Sequence, residues 1–120
     1  GGDTTVSPSV EDQLAAYGNV ERIAGADRYE TAALISALAG DGSTTFVATG
    51  LDYPDALAGA ALAASGGHPL VLTEPDALPT VTAGSLSTLD PTRLVLLGGT
   101  SSVSAQVSRQ ATLYLEPARD

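Results

Sequence analysis

Cysteine, methionine, tryptophan and lysine are all absent from this 120-residue chain, and aromatic residues make up only 4% of it. Without cysteine there is no disulfide and no thiol nucleophile, and the redox compartment stays open. A core without tryptophan or methionine has to be assembled from Ala, Val, Leu and Ile, which let elements approach closely but bury little area each. Positive charge rests on five arginines against fourteen carboxylates, a formal net charge of −9. Nucleic acid is a poor partner for such a chain, because phosphate contacts need clustered Lys and Arg. The acidity serves solubility and suits surroundings rich in salt or divalent cations. No apolar run reaches the length that spans a bilayer. A charged-then-apolar start with a small-residue cleavage site is missing too, so a secretory signal, where one exists, lies outside this sequence.

What is present is 43% apolar with positive mean hydropathy, enough for one domain that buries about two-thirds of its unfolded surface. Internal similarity is the first pattern to test. Gly1-Gly2-Asp3-Thr4-Thr5-Val6-Ser7 aligns with Gly98-Gly99-Thr100-Ser101-Ser102-Val103-Ser104. The register continues through Val10 with Val107, Gln13 with Gln110 and Tyr17 with Tyr114, at an offset of 97 residues throughout. A feature that closes one unit thus also opens the chain. Residues 1–18 read as the helical tail of a preceding repeat, and residues 19–116 as one whole unit of a tandem array.

Between the two tails strand and helix alternate. Short apolar runs at Thr45 to Thr49, Leu70 to Thr73 and Arg93 to Leu97 lack polar alternation and read as strands of a parallel sheet, buried on both faces, with Val20 to Ala24 as a weaker fourth. Helical spacing covers Val10 to Tyr17, Arg28 to Leu38, Pro54 to Ala64, Val81 to Leu89 and Val103 to Leu115. Ser7-Pro8, Asp52 before Pro54, and Pro79-Thr80 mark helix starts, while Gly66-Gly67 and Pro117 mark stops. The expected fold is therefore α/β, a three-layer parallel sheet flanked by helices with right-handed crossovers.

Four motifs stand in fixed order: Arg22-Ile23-Ala24-Gly25-Ala26-Asp27-Arg28-Tyr29-Glu30-Thr31-Ala32, Val47 to Ala58, Pro69 to Thr73, and Val95-Leu96-Leu97-Gly98-Gly99-Thr100. Together they resemble a cell wall-binding repeat 2 module of Gram-positive surface proteins, over roughly Arg22 to Leu113. The resemblance implies a Toprim-like, Rossmann-like module whose copies associate in threes. It also implies a secreted, wall-located protein that anchors non-covalently to an anionic glycopolymer, without catalysis and without a cofactor.

Ligands of α/β folds bind outside the carboxyl ends of the strands, and the candidate residues gather there. Asp52, Tyr53 and Asp55 follow one strand, Glu74 and Asp76 another. Gly98-Gly99-Thr100-Ser101-Ser102 follows the third, either a backbone cradle for an anion or a plain capped turn. Arg28 opens a helix, where the dipole disfavours a cation. The expected compensation is a structural pair with Asp55, with Asp27 and Asp52 as other partners in reach and ligand contact as the competing role. Tyr29 and Tyr53 flank the place and offer either faces for sugar stacking or half-buried wedges. With Arg93, these residues define a ligand set of Arg28, Tyr29, Asp52, Tyr53, Arg93, Gly99 and Thr100.

No metal or catalytic set emerges. There is no G-x-S-x-G elbow, a triad would rest on His68 alone, and the Asp-x-Asp with which Toprim-like enzymes hold magnesium is missing. Three functions fit: a wall-attachment module, an oligomerisation module that packs against its like in cis or trans, and a fragment of a phosphosugar- or nucleotide-binding enzyme. An acidic module meeting an acidic polymer needs Arg22, Arg28 or Arg93 gathered in crevices between units, or divalent cations that bridge the two.

Overall fold

A computed structural model describes residues 1–115, so the stop expected at Pro117 lies outside the described residues. Eight elements follow in order: α1 (Pro8–Leu14), α2 (Arg28–Ser36), β1 (Thr44–Thr49), α3 (Tyr53–Gly66), β2 (Leu70–Thr73), α4 (Thr80–Leu89), β3 (Arg93–Leu97) and α5 (Ala105–Thr112). All strand pairs are parallel in the order β2-β1-β3, with Val47 opposite Val71 on one side and Leu96 on the other. The central strand is the most deeply buried of the three although half of its residues are threonine: Thr45 to Thr49 are all buried.

Strand alternation divides the sheet into two faces. Val47, Val71 and Leu96 turn towards Leu86 of α4 and Ala111 of α5. On the other face α3 comes so close that a Cβ on Gly59 would strike Leu97. Helix α2 lies along β2, the outer strand, and touches α4. The outward carbonyls of β2 are closed off by hydroxyls of the flanking helices: Ser36 Oγ donates to Leu70 O at 2.9 Å and Thr82 Oγ1 to Leu72 O at 2.6 Å. A bare edge that could pair with another chain is thereby avoided.

Local signals set most boundaries. Ser7 Oγ accepts from the Val10 amide at 3.3 Å, and Gly67 ends α3 in the left-handed conformation (φ 70°). Asp52 occupies the cap position of α3, but its side chain makes no cap hydrogen bond. The weak fourth strand does not form. Residues 20–24 form no regular element and pair with no strand among the described residues; Gly1 N donates to Ile23 O at 3.0 Å as a cross-link to the amino-terminal segment. The outer helices also stop short of their expected ends, at Leu14 and Thr112.

The 97-residue repeat extends to the backbone. Thr5 and Val6 amides donate to Gly2 O at 2.9 and 3.0 Å, and Ser102 and Val103 amides donate to Gly99 O at 3.0 and 3.0 Å. Ser104 Oγ then accepts from the Val107 amide at 3.2 Å, as Ser7 does from Val10.

Candidate functional site

The strand order creates a switch point between β1 and β3, since the chain leaves β1 towards β2 and then crosses back over β1 to β3. The crevice outside the carboxyl ends at such a point is the usual ligand position. Here it is built from the β1–α3 loop and the β3–α5 loop. Gly98 has φ 101°, a conformation that favours glycine. A Cβ on it would stand 2.6 Å from Asp55 Oδ2, so Asp55 reaches across from the first turn of α3 to this backbone.

That placement bears on two expectations. No ion pair joins Arg28 to Asp55, because Asp55 faces Gly98 while Arg28 Nη1 donates to the Gly50 carbonyl. The glycine loop is also not a helix start. Helix α5 begins at Ala105 behind its cap Ser104, the Ser102 and Val103 amides are spent on Gly99 O, and the Ser104 amide on Pro75 O at 2.9 Å. An anion at Gly99 and Thr100 would therefore meet a carboxylate and a loop whose later amides are already occupied.

On the β2 side of β1 a second cluster forms. Asp27 caps α2 by accepting from the Glu30 amide at 2.9 Å, and Thr31 Oγ1 accepts from the Gly25 amide at 2.9 Å while donating to Asp27 O at 2.9 Å. These bonds hold the start of α2 so that Arg28 and Tyr29 both meet Gly50. A Cβ at Gly50 would lie 2.7 Å from the Tyr29 ring, and one at Gly25 would lie 2.8 Å from the Thr31 amide, so the approach needs glycine at both positions. The Arg28 cation is thus offset by a carbonyl at the carboxyl end of β1, not by a carboxylate. Burial pushes the Tyr29 hydroxyl above its ordinary value of 10.0; the carboxylates of Glu74 and Asp27 add to this and the Arg28 guanidinium opposes it.

Of the other candidates, Asp52 is exposed at the cap of α3 and Tyr53 is 77% exposed beside it. Arg93 lies at the opposite edge, the first residue of β3 in register with Thr44. Four strand steps of about 3.3 Å separate the two ends of β3 by about 13 Å, so Arg28 and Arg93 do not share one crevice. Arg22 is absorbed elsewhere. Its Nε and Nη2 donate to Glu11 Oε2 at 2.9 and 2.5 Å, Nη1 to Gly1 O at 2.8 Å and Nη2 to Val6 O at 2.8 Å. The only signal for this in the sequence is an acidic helix with no cation of its own. Among the described residues no group of three or more His, Asp or Glu side chains could hold a metal ion, and no helix is long and apolar enough to cross a membrane.

A different surface was not anticipated. Helix α3 is apolar around most of its circumference yet buries only Gly59 and Ala63. Leu51, Leu57 and Leu62 are exposed, as are Leu34, Ile35 and Leu38 of and after α2. Between α2, α3 and β2 lies a groove of about 530 Å³ lined by Ile35, Leu38, Ala60, His68 and Leu70. A helix of this composition is normally covered.

The sequence profile of the Cell wall binding domain 2 (CWB2) family matches residues 22–108. The amidase enhancer of Bacillus subtilis is 37% identical over 110 residues, covering 92% of this chain and 15% of that protein. The N-acetylmuramoyl-L-alanine amidase LytC of the same organism is 32% identical over 125 residues, covering 98% and 25%. Among solved structures, Cwp8 from Clostridium difficile superposes with a TM-score of 0.78 at 31% identity, over 95% of this chain and 19% of its own, and Cwp6 with 0.70 at 26%, over 81% and 17%. The chain thus spans a quarter or less of each of these proteins, and its α/β fold is that of the matched segments of Cwp8 and Cwp6. With most of its length matched by the family profile, this chain belongs to the cell wall binding domain 2 family.

Proposed function

We propose that this chain is a non-catalytic wall-attachment unit of a secreted, tandem-repeat surface protein, and that it holds an anionic glycopolymer of a Gram-positive wall. The family match over residues 22–108 carries the reading, and similarity to an amidase and an amidase enhancer fits a module that brings other domains to the wall. The recurrence of one turn, cap and helix at an offset of 97 residues supports the array. We assign the carboxyl edge near Arg28, Tyr29 and Tyr53 as the polymer-facing surface. A net charge of −9 makes loose attraction of a polyanion unfavourable, so calcium or magnesium ions bridge the two.

The exposed apolar faces of α2 and α3 favour a companion property. Like units pack through them, in threes within a Toprim-like arrangement, and cover the groove beside His68. The test is sedimentation with purified walls, before and after the anionic polymer is stripped and with or without chelator. Binding is expected to vanish on stripping and to weaken in chelator. Equal binding to stripped walls would overturn the polymer assignment, and indifference to chelator would overturn the cation bridge.

A further inference from the structure

We infer that Arg22 is the latch of a joint between consecutive units: it fixes residues 1–17, seated in the preceding unit, at a set angle to the unit that begins at residue 19. The inference rests on the tandem-repeat reading above and adds the residue that sets its geometry.

Residues 1–17 and 98–114 share sequence, turn and cap, but their apolar stripes meet different surroundings. In the later copy Val103, Val107 and Ala111 are buried, with Ala111 and Tyr114 packed among Val71, Leu78, Leu86 and Leu89. In the earlier copy Val10 is 43% exposed against 0% for Val107, and Tyr17 is 91% exposed. The Ser104 amide donates to Pro75 O, whereas among the described residues the Ser7 amide meets no backbone acceptor. The surface that fits the stripe is already known from this chain: a sheet and α4 layer built like the one that covers α5. A preceding unit of the same construction is therefore the occupant.

The earlier copy is also held by the following unit, where Val6, Glu11 and Leu14 line a pocket with Val20, Arg22 and Ile23. Arg22 reaches four groups of it, the Glu11 carboxylate, the Gly1 and Val6 carbonyls, and at 3.6 Å the Asp3 carboxylate. Gly1 N adds its bond to Ile23 O. A half-buried guanidinium that fills its fork with two carbonyls and a carboxylate is geometrically restrictive, so one side chain ties a turn and a helix of one unit to the first residues of the next. In the sequence another arginine, Arg119, stands 97 residues after Arg22, where the period would place the latch of the next joint.

The test uses a two-unit protein made by joining residues 1–97 to the whole chain, which preserves the period. Ser87→Cys in each unit supplies spin labels, clean because the chain has no cysteine. Arg22→Ala at the junction is expected to broaden the inter-label distance distribution while both unfolding midpoints stay within a few degrees. Arg22→Lys should recover part of the narrow distribution, and Glu11→Gln should broaden it less than Arg22→Ala. Distributions of unchanged width in both Arg22→Ala and Glu11→Gln would overturn the latch. Val10→Asp at the junction separates this from the underlying reading. It should lower the unfolding midpoint of the first unit sharply in the two-unit protein and hardly at all in the single chain; if it is harmless in both, the repeat reading itself fails.

Discussion

Residues 1–17 and 98–114 are the same local structure placed in two environments. Each makes a glycine turn closed by two amides, a serine cap and a short helix, yet one helix lies on the sheet layer with its valines buried and the other turns them to solvent. Turn and cap are satisfied by bonds within three or four residues, so they form wherever the sequence occurs. Burial depends on a sheet face supplied from elsewhere in the chain, and only the second copy has one.

The largest way to break this equivalence is to charge the two valines. Val107→Asp is expected to cost about 4 kcal/mol, since it places an unpaired carboxylate in the core. Val10→Asp in the single chain should stay within about 0.5 kcal/mol; denaturant midpoints compare the two. Next come the glycines. Gly98→Ala should cost about 1–2 kcal/mol, because φ 101° and the Asp55 carboxylate both oppose a Cβ. Gly1→Ala, its counterpart, where a Cβ would meet only the Thr5 side chain at 3.0 Å, should cost well under that by the same measurement.

The caps sharpen the comparison at smaller scale. Ser104→Ala should lower global stability by about 1 kcal/mol. Ser7→Ala should instead speed amide exchange within α1 while leaving the global midpoint nearly unchanged, because α1 is not part of the cooperative core. The smallest effect is a pH dependence confined to the main unit. Tyr29 has a folded pKa above its unfolded value, so the protonated form is favoured by folding. The associated stability is complete below pH 10 and is lost as pH rises through the higher folded value. Tyr29→Phe should flatten the decline of the denaturant midpoint above pH 10.

Much of the fold was legible because it is written in short-range chemistry. Three strands were bounded by Gly, Pro or Asp, and Ser7-Pro8 and Gly66-Gly67 behaved as helix punctuation. The Val20 to Ala24 strand failed because Glu21 and Arg22 interrupt its apolar pattern, and Arg22 is drawn to Glu11 and to the Gly1 and Val6 carbonyls. The candidate site was legible only as a neighbourhood. Arg28 and Tyr29 reach the carboxyl edge as expected, but Arg28 meets the Gly50 carbonyl instead of Asp55, and Arg93 stands at the far edge.

The sequence by itself determined the alternation of helices and strands, the Ser7 cap, the 97-residue period, the acidic surface and a core of small apolar residues. These follow from side-chain periodicity and from hydrogen bonds that close within one turn. Only the tertiary structure decided the order β2-β1-β3, the burial of one copy of the repeated helix and not the other, and the partners of Arg22, Arg28 and Asp55. A long guanidinium or a carboxylate at a helix start has many acceptors or donors within reach of its own flexibility. The choice among them is made by groups brought close from 11 to 43 residues away, and no local pattern records it.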